Sequence, residues 1–145
     1  MSDVHKSVLI GFSAAQMYAL VDNVERYPEF LPWCGGTVLH ERTATTTIAT
    51  LKIDYHGVKH SFSTVNHNKA PTEICLQLRE GPFKALHGRW HFVPLTEDAC
   101  KIEFSLHYEF SSKLLEKVVG PVFNHIAGTF VDAFIQRAER VYAAI

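Results

Sequence analysis

The carboxyl-terminal segment of the chain restricts the fold more than any other feature. After Ser111, apolar side chains recur at steps of three and four residues almost to the end, which is the spacing of one face of an α-helix. Charged residues such as Lys113, Lys117 and Arg137 fall off that face. A long helix with so broad an apolar face needs an extended apolar surface to pack against, and the rest of the chain must supply it.

The segment from Thr37 to Phe110 predicts that this surface is a β-sheet. Turn signals recur at intervals of about ten residues, and apolar and polar side chains alternate between them. The alternation is clearest from Ile102 to Phe110, so one face of the sheet is expected to be buried and the other to face water. A sheet of six or seven antiparallel strands twists, and we expect it to curl around the helix.

The residues before this sheet predict a strand followed by helical turns. Val4 to Ile10 alternate weakly, and Ser13 with Gln16 three residues later is a helix capping box. Between Tyr27 and Trp33, Pro32 disfavours helix at the residue before it, which predicts a short second helix or an irregular turn. The sequence thus predicts an α+β protein in a single domain over residues 1–145: one strand, one or two short helices, six strands and a long helix.

Charge, cysteine and histidine patterns exclude several classes of function. The formal net charge of -1 is too small to hold a nucleic-acid backbone by charge alone. The cysteines, Cys34, Cys75 and Cys100, are odd in number and widely spaced, which predicts reduced thiols in the cytoplasm rather than disulfides or zinc ligation. The histidines lack metal-ligand spacing, so no metal site is expected.

Motifs for catalysis are also missing, so binding is expected rather than an enzymatic reaction. No serine stands in a nucleophile elbow, and Glu103, His107 and Glu109 share the strand face that is expected to be wet. An enzyme would need a polar group that projects into the interior. The polar residues at inward-facing positions of the predicted strands are Tyr55, His60, Thr64 and Tyr108.

Three segments resemble a known family. Phe12 to Tyr18, Tyr27 to Cys34 and Gly81 to Trp90 are similar to the bacterial RatA and coenzyme Q-binding branch of the START-like superfamily, also called SRPBCC or polyketide cyclase/dehydrase. The resemblance covers essentially the whole chain. It implies a helix-grip fold, in which the curved antiparallel sheet wraps around the carboxyl-terminal helix and leaves an apolar tunnel between them.

The resemblance implies two different functions, between which the fold alone does not decide. One is binding of ubiquinone or a related isoprenoid lipid in the tunnel, in support of respiration and without any other cofactor. The other is that of a toxin that binds the large ribosomal subunit and blocks its association with the small subunit. A cyclase or dehydrase reaction is a weaker third alternative. We favour quinone binding by a cytoplasmic monomer, with ribosome association as a second role.

The inward rows of the predicted strands and helix supply the candidate site residues. The predicted tunnel lining consists of Phe30, Leu31, Trp33, Leu51, Ile53, Tyr55, Phe62, Leu76, Leu78, Phe83, Leu86, Trp90, Phe104, Leu106, Tyr108, Phe123, Ala127 and Phe130. The segment from Tyr27 to Trp33 is interpreted either as a plug over the sheet or as the tunnel mouth, in transient contact with a membrane surface. Lys84, His87 and Arg89 are the candidate contacts for a phosphate-bearing partner.

Overall fold

The computed structural model describes residues 2–142, and its elements follow the predicted order. They are β1 (Ser2–Ile10), α1 (Ala14–Asp22), a 3₁₀ segment (Val24–Glu29), β2 (Cys34–Arg42), β3 (Thr46–Tyr55), β4 (Val58–Lys69), β5 (Glu73–Glu80), β6 (Phe83–Thr96), β7 (Ala99–Phe110) and α2 (Lys113–Tyr142). The α+β prediction is therefore confirmed, and the stretch that begins at Tyr27 is part 3₁₀ helix and part irregular turn.

The strands form one antiparallel sheet of seven strands in the order β1-β7-β6-β5-β4-β3-β2. Each strand from β2 to β6 pairs with the next strand along the chain, and β7 also pairs with β1. The register shifts at bulges in β2, in the β4–β5 pair and in the β6–β7 pair. Because a bulge bends its strand and increases the local twist, these shifts help the sheet to curve around α2.

Two of the predicted turns depend on backbone conformations that favour glycine. The β3–β4 hairpin turns through His56 and Gly57, with φ angles of 50° and 79°. Gly81 has a φ of 152°, and a Cβ atom there would lie 2.7 Å from the Cβ of Phe62. The backbone of this turn therefore passes so close to Phe62 on β4 that a side chain at position 81 would clash.

The predicted capping box at the start of α1 is confirmed. The backbone N–H of Gln16 donates to Ser13 Oγ at 3.1 Å, and the backbone N–H of Ser13 donates to Gln16 Oε1 at 2.9 Å. Met17 and Val21 on the buried face of α1 belong to the same core as the sheet and α2. The helix thus covers one end of the interior.

Helix α2 places its apolar stripe on the concave face of the sheet, as the sequence predicts. Its buried residues are Val119, Gly120, Phe123, Ile126, Ala127, Val131, Phe134 and Ala138. Pro121 lacks the backbone donor of a helical residue, yet the helix is continuous through it. By length and mean hydropathy α2 would suffice to cross a membrane, yet 44% of the residues in its most apolar stretch are buried inside the fold.

Candidate functional site

An internal cavity of about 60 Å³ lies between the sheet and α2. Its walls come from β3 to β7, from α1 with the turns that follow it, and from the middle of α2. The lining residues are Val21, Val24, Tyr27, Trp33, Ala49, Leu51, Phe62, Thr64, Asn66, Ile74, Leu76, Leu86, Trp90, Phe104, Leu106, Phe123, Ile126, Ala127 and Phe130.

Many of the predicted lining residues do meet at this cavity. They are Trp33, Leu51, Phe62, Leu76, Leu86, Trp90, Phe104, Leu106, Phe123, Ala127 and Phe130. The strand residues among them point inward because of the two-residue repeat of a pleated strand, and the helix residues lie on the stripe that faces the sheet. Whether they bind a ligand stays a prediction.

The other predicted lining residues lie outside the cavity. Phe30, Leu31 and Tyr55 border an outer groove of about 290 Å³, and within residues 2–142 Trp33 alone lines both this groove and the cavity. Tyr108 borders another groove, at the amino end of α2. Ile53 and Phe83 are buried in the core, while Leu78 is half-buried against it. The strand residues among them lie too far along their strands to reach the cavity, and Phe30 and Leu31 lie in the turn before β2.

The structure also adds lining residues that the sequence analysis did not select. Val21, Val24 and Tyr27 reach the cavity because α1 and the 3₁₀ segment close one of its walls. No local sequence pattern indicates where a short helix docks, so Val21 and Val24 carried no signal, whereas Tyr27 begins the segment that was interpreted as a plug or the tunnel mouth. Asn66 did carry one, because it has the same parity on β4 as Phe62 and Thr64, and these also line the cavity.

Small side chains on opposite walls leave the cavity open. Ala49 on β3 and Ala127 on α2 are each 2% exposed and fill little of the space between sheet and helix. On either side the interior is occupied by rings. Phe83 and Phe123 lie 4.8 Å apart at one end, and Trp90 and Phe134 lie 5.4 Å apart at the other. The cavity is thus the gap between two aromatic clusters.

One wall of the cavity is polar. Thr64 and Asn66 are 8% and 9% exposed, and Thr64 Oγ1 donates to Asn66 Oδ1 at 2.8 Å. Farther along β4, Asn68 Nδ2 donates to Thr47 Oγ1 at 2.9 Å, while Asn68 Oδ1 is buried and has no hydrogen-bond partner among residues 2–142. A polar row therefore follows the inward face of β4 through an otherwise apolar interior.

The described lining suits binding better than proton transfer. Between residues 2 and 142, no carboxylate, histidine, lysine, arginine or cysteine side chain lines the cavity. Tyr27 donates its hydroxyl to the carbonyl oxygen of Val21, and burial raises the pKa of Tyr27 far above its ordinary value, so the phenol stays protonated. Of the polar residues considered for an enzyme, Thr64 lines the cavity, whereas Tyr55, His60 and Tyr108 do not.

The candidate partner contacts lie on β6 and are all exposed. The His87 ring stacks on His107, with ring centroids 5.0 Å apart, and Arg89 Nε lies 3.0 Å from Glu73 Oε1. Lys84 stands where the register of the β6–β7 pair shifts. In the part of the chain that the structure describes, no three histidine, cysteine, aspartate or glutamate side chains gather as a metal site.

Comparisons with known proteins agree with this architecture. Residues 10–135 match the family model described as polyketide cyclase/dehydrase and lipid transport. The chain is 43% identical over 142 residues to the ribosome association toxin RatA of Vibrio cholerae, which covers 98% of this chain and 99% of that protein.

More distant relatives fall into two groups. The mitochondrial coenzyme Q-binding protein COQ10 of Drosophila melanogaster is 27% identical over 93% of this chain and 57% of its own length. The crystal structure of the Zhui aromatase/cyclase from a Streptomyces species superposes with a TM-score of 0.80 at 17% identity, over 99% of this chain and 97% of that one. At that identity the likeness establishes the fold alone.

Proposed function

Since the chain belongs to the polyketide cyclase/dehydrase and lipid transport family and to its RatA branch, we propose that it is a ribosome-association factor that acts in the cytoplasm. One observation carries this proposal: the high identity to the Vibrio cholerae protein extends over nearly the full length of both chains. The sequence analysis favoured quinone binding and placed ribosome association second. The strength of the match reverses that order.

The proposed action is binding to the large ribosomal subunit, at a surface that the small subunit must otherwise occupy. No covalent step is needed, because a bound protein excludes a competing partner simply by occupying its site. The net charge of -1 means that docking rests on shape and on a few local cations rather than on a broad positive field. Lys84 and Arg89, both exposed on β6, are the cations that we assign to this contact.

Sedimentation tests the proposal directly. Bacterial ribosomal subunits are allowed to reassociate with and without added protein, and the products are separated on a sucrose gradient. We expect the protein to sediment with the large subunit and the fraction of assembled ribosomes to fall. An unchanged assembled fraction at a large excess of protein would rule the function out.

A charge reversal tests the assigned contact. The double variant Lys84→Glu, Arg89→Glu should lower the ribosome-bound fraction, because two cations facing RNA phosphate are replaced by anions. The matched control is Arg140→Glu, an exposed arginine near the end of α2, on the other side of the sheet from the outward-facing residues of β6. If both variants bind as the parent protein does, the contact lies on another surface, although the function itself stands.

The second candidate function is binding of an apolar ligand, and the cavity is the observation that favours it. The name of the Drosophila relative points to coenzyme Q, and the lining is mostly aromatic and aliphatic. The volume of about 60 Å³ is well below the roughly 150 Å³ of a cavity that binds benzene, so a quinone ring enters only if the walls move. Solvent extraction and mass spectrometry of the protein purified from a quinone-producing host provide the test, and absence of stoichiometric quinone would reject ubiquinone as the ligand.

A further inference from the structure

We propose that a groove on the water-facing side of the sheet, lined by His5, Arg89 and His91, binds a backbone phosphate of RNA, and that it binds more tightly once the two histidines are protonated. The inference rests on the proposed ribosome association and deepens it, because it names the chemical group of the partner and a condition that regulates the contact. The groove and the internal cavity lie on opposite faces of the sheet.

This histidine groove crosses strands β1, β7 and β6 and has a volume of about 290 Å³. His5 on β1 and Arg89 on β6 both lie directly opposite Ser105 on β7. Residues opposite each other in paired strands project from the same face, so the two long side chains start about 10 Å apart with a short serine between them. The small size of Ser105 therefore leaves a depression between His5 and Arg89. The lining residues are His5, Lys6, Ser7, Arg89, His91, Glu103, Phe104 and Ser105.

Arg89 is held from the side that faces away from β7. Its Nε donates to Oε1 of Glu73, on β5, at 3.0 Å. Within residues 2–142 this pair engages Nε alone, so the two terminal nitrogens of the guanidinium keep their donors. Parallel N–H donors of an arginine match two oxygens of a phosphate group, and the hydroxyl groups of Ser7 and Ser105 are neutral donors of the kind that bind phosphate oxygens. The groove thus offers a positioned arginine with further donors beside it.

The groove is also open enough to meet the backbone of a macromolecule. The side chain of Arg89 is 49% exposed, and His5 on the edge strand β1 is exposed as well. An exposed phosphate on the surface of a folded RNA can therefore reach the guanidinium without any movement of the sheet.

The fixed charges around the groove cancel, which makes the two histidines decisive. The charged and titratable side chains that surround His5 are Asp3 and Lys6 on β1 and Glu103 and His107 on β7. Those that surround His91 are Arg89 on β6, Glu73 and Cys75 on β5, and Lys101 and Glu103 on β7. Among these groups the lysines and the arginine carry as many positive charges as the carboxylates carry negative ones. The surroundings therefore gain a net positive charge only when histidines take up protons.

The proton uptake of histidine falls in a range where the ligand does not change. A histidine side chain ordinarily gains its charge between pH 8 and pH 5, whereas a phosphodiester keeps its single negative charge throughout that range. Protonation of His5 and His91 places two additional cations at the groove. Because charge pairs at an exposed surface are individually weak, we expect the affinity for a phosphodiester to rise only about threefold from pH 7.5 to pH 6.0.

The first experiment uses dimethyl phosphate, the smallest phosphodiester, as the probe. It is titrated into the purified full chain at pH 7.5 and at pH 6.0, with sodium chloride of the same ionic strength as the reference, and backbone amide signals are followed by nuclear magnetic resonance. We expect saturable shifts at His5, His91 and Ser105, with the tighter binding at pH 6.0. Shifts no larger than those with sodium chloride, or equal affinity at the two pH values, overturn the proposal.

A double variant identifies the histidines. His5→Gln, His91→Gln keeps polar side chains of similar size but removes the charge, so it should bind dimethyl phosphate equally at both pH values and as the parent protein does at pH 7.5. The matched control is His125→Gln, at an exposed histidine of α2 across the sheet from the groove, which should keep the threefold change. A pH dependence that persists in the double variant overturns the proposal, and the titration of the parent protein decides the matter if the double variant fails to fold.

Co-sedimentation with large ribosomal subunits then tests RNA as the source of the phosphate. At limiting protein, the bound fraction of the parent protein should rise from pH 7.5 to pH 6.0, and that of the double variant should not. If the parent binds the subunit without any pH dependence, the inference about RNA is wrong and the ribosomal function stands. If the parent does not bind the subunit at either pH, the proposed function fails and RNA with it, whereas the dimethyl phosphate titration still decides whether the groove binds phosphate.

Discussion

Around Phe134, in the carboxyl-terminal half of α2, the interior is solid, whereas around Ala127, about two turns earlier on the same helix, it is hollow. The Phe134 ring packs against Tyr27, Trp90 and Phe130, with centroids 5.3, 5.4 and 5.1 Å away. Ala127 faces the cavity instead. One helix on one sheet therefore supports both kinds of packing, and side-chain size and polarity decide between them.

This difference assigns separate tasks to the two regions. Close packing supplies dispersion contacts and excludes water, so the solid region is expected to carry most of the stability of the fold. A cavity forfeits such contacts, so its small and polar lining residues are poor choices for stability alone. We interpret the hollow region as the part of the interior that is available for binding.

The largest expected effect on stability comes from truncating one phenylalanine to alanine in each of the two regions. Phe134→Ala should lower the free energy of unfolding by roughly 3–5 kcal/mol, since the ring is fully buried among other rings. Phe104→Ala should cost about 1 kcal/mol less, because one side of that ring already faces empty space. Urea unfolding followed by circular dichroism measures both values, and equal losses would contradict the contrast between the regions.

Enlarging two alanines of α2 gives a smaller but sharper contrast. Ala138 is fully buried and does not line the cavity, so Ala138→Leu should destabilise the protein by about 1–3 kcal/mol through overpacking. Ala127→Leu extends into existing space and should change stability by less than about 1 kcal/mol, in either direction. Thermal unfolding of the two variants compares the same substitution on the same helix.

The Ala127→Leu variant also separates the two candidate functions. It should abolish co-purification of an apolar ligand from a quinone-producing host, because the new side chain occupies the cavity. Ribosome association should persist, since the assigned contact lies on exposed residues of β6. A variant that loses both activities while remaining folded would mean that ribosome association depends on the state of the cavity.

The sequence predicts the elements of this fold well and the cavity only in part. Periodicity determines which face of a strand is buried, and for that reason the inward row from Ile102 to Phe110 is confirmed. The alternation of inward and outward side chains does not determine how far along a strand the cavity extends. Tyr55 and Tyr108 were therefore included in the predicted lining, although they lie beyond the ends of the cavity. Docking of α1 is a tertiary event without a local signal, and Val21 and Val24 were missed for that reason.

The function was harder to predict than the fold, for a physical reason. A curved sheet around a helix leaves an apolar gap whether the protein carries lipids, catalyses cyclisation or binds a ribosome. Size and polarity of the gap distinguish these uses, and they depend on how the side chains of α2 fit against the sheet. Thr64 and Asn66 were readable as inward-facing polar residues, but only the structure shows that they share one small cavity.

The smallest expected effect concerns the surface of the solid region, where Glu29 pairs with Arg26 and with Arg137, each at 2.7 Å. The hydrogen bond from Arg26 is the larger cause and that from Arg137 the smaller, and together they hold the pKa of the Glu29 carboxyl below its ordinary value.

Because the pKa of Glu29 is lowered in the folded state, its ion pairs stabilise the protein at pH values above the pKa of the unfolded chain. This contribution is lost as the pH falls through the folded-state pKa. Glu29→Gln should therefore lower the urea midpoint slightly at about pH 7 and not at all at a pH low enough to protonate the carboxyl in the folded protein. Glu97→Gln, at an exposed glutamate for which the described residues form no ion pair, is the control and should leave the midpoint unchanged at both pH values. An equal shift for Glu29→Gln at both pH values would show that the side chain acts through packing rather than charge, and the solid region would then owe its stability to close packing even at its surface.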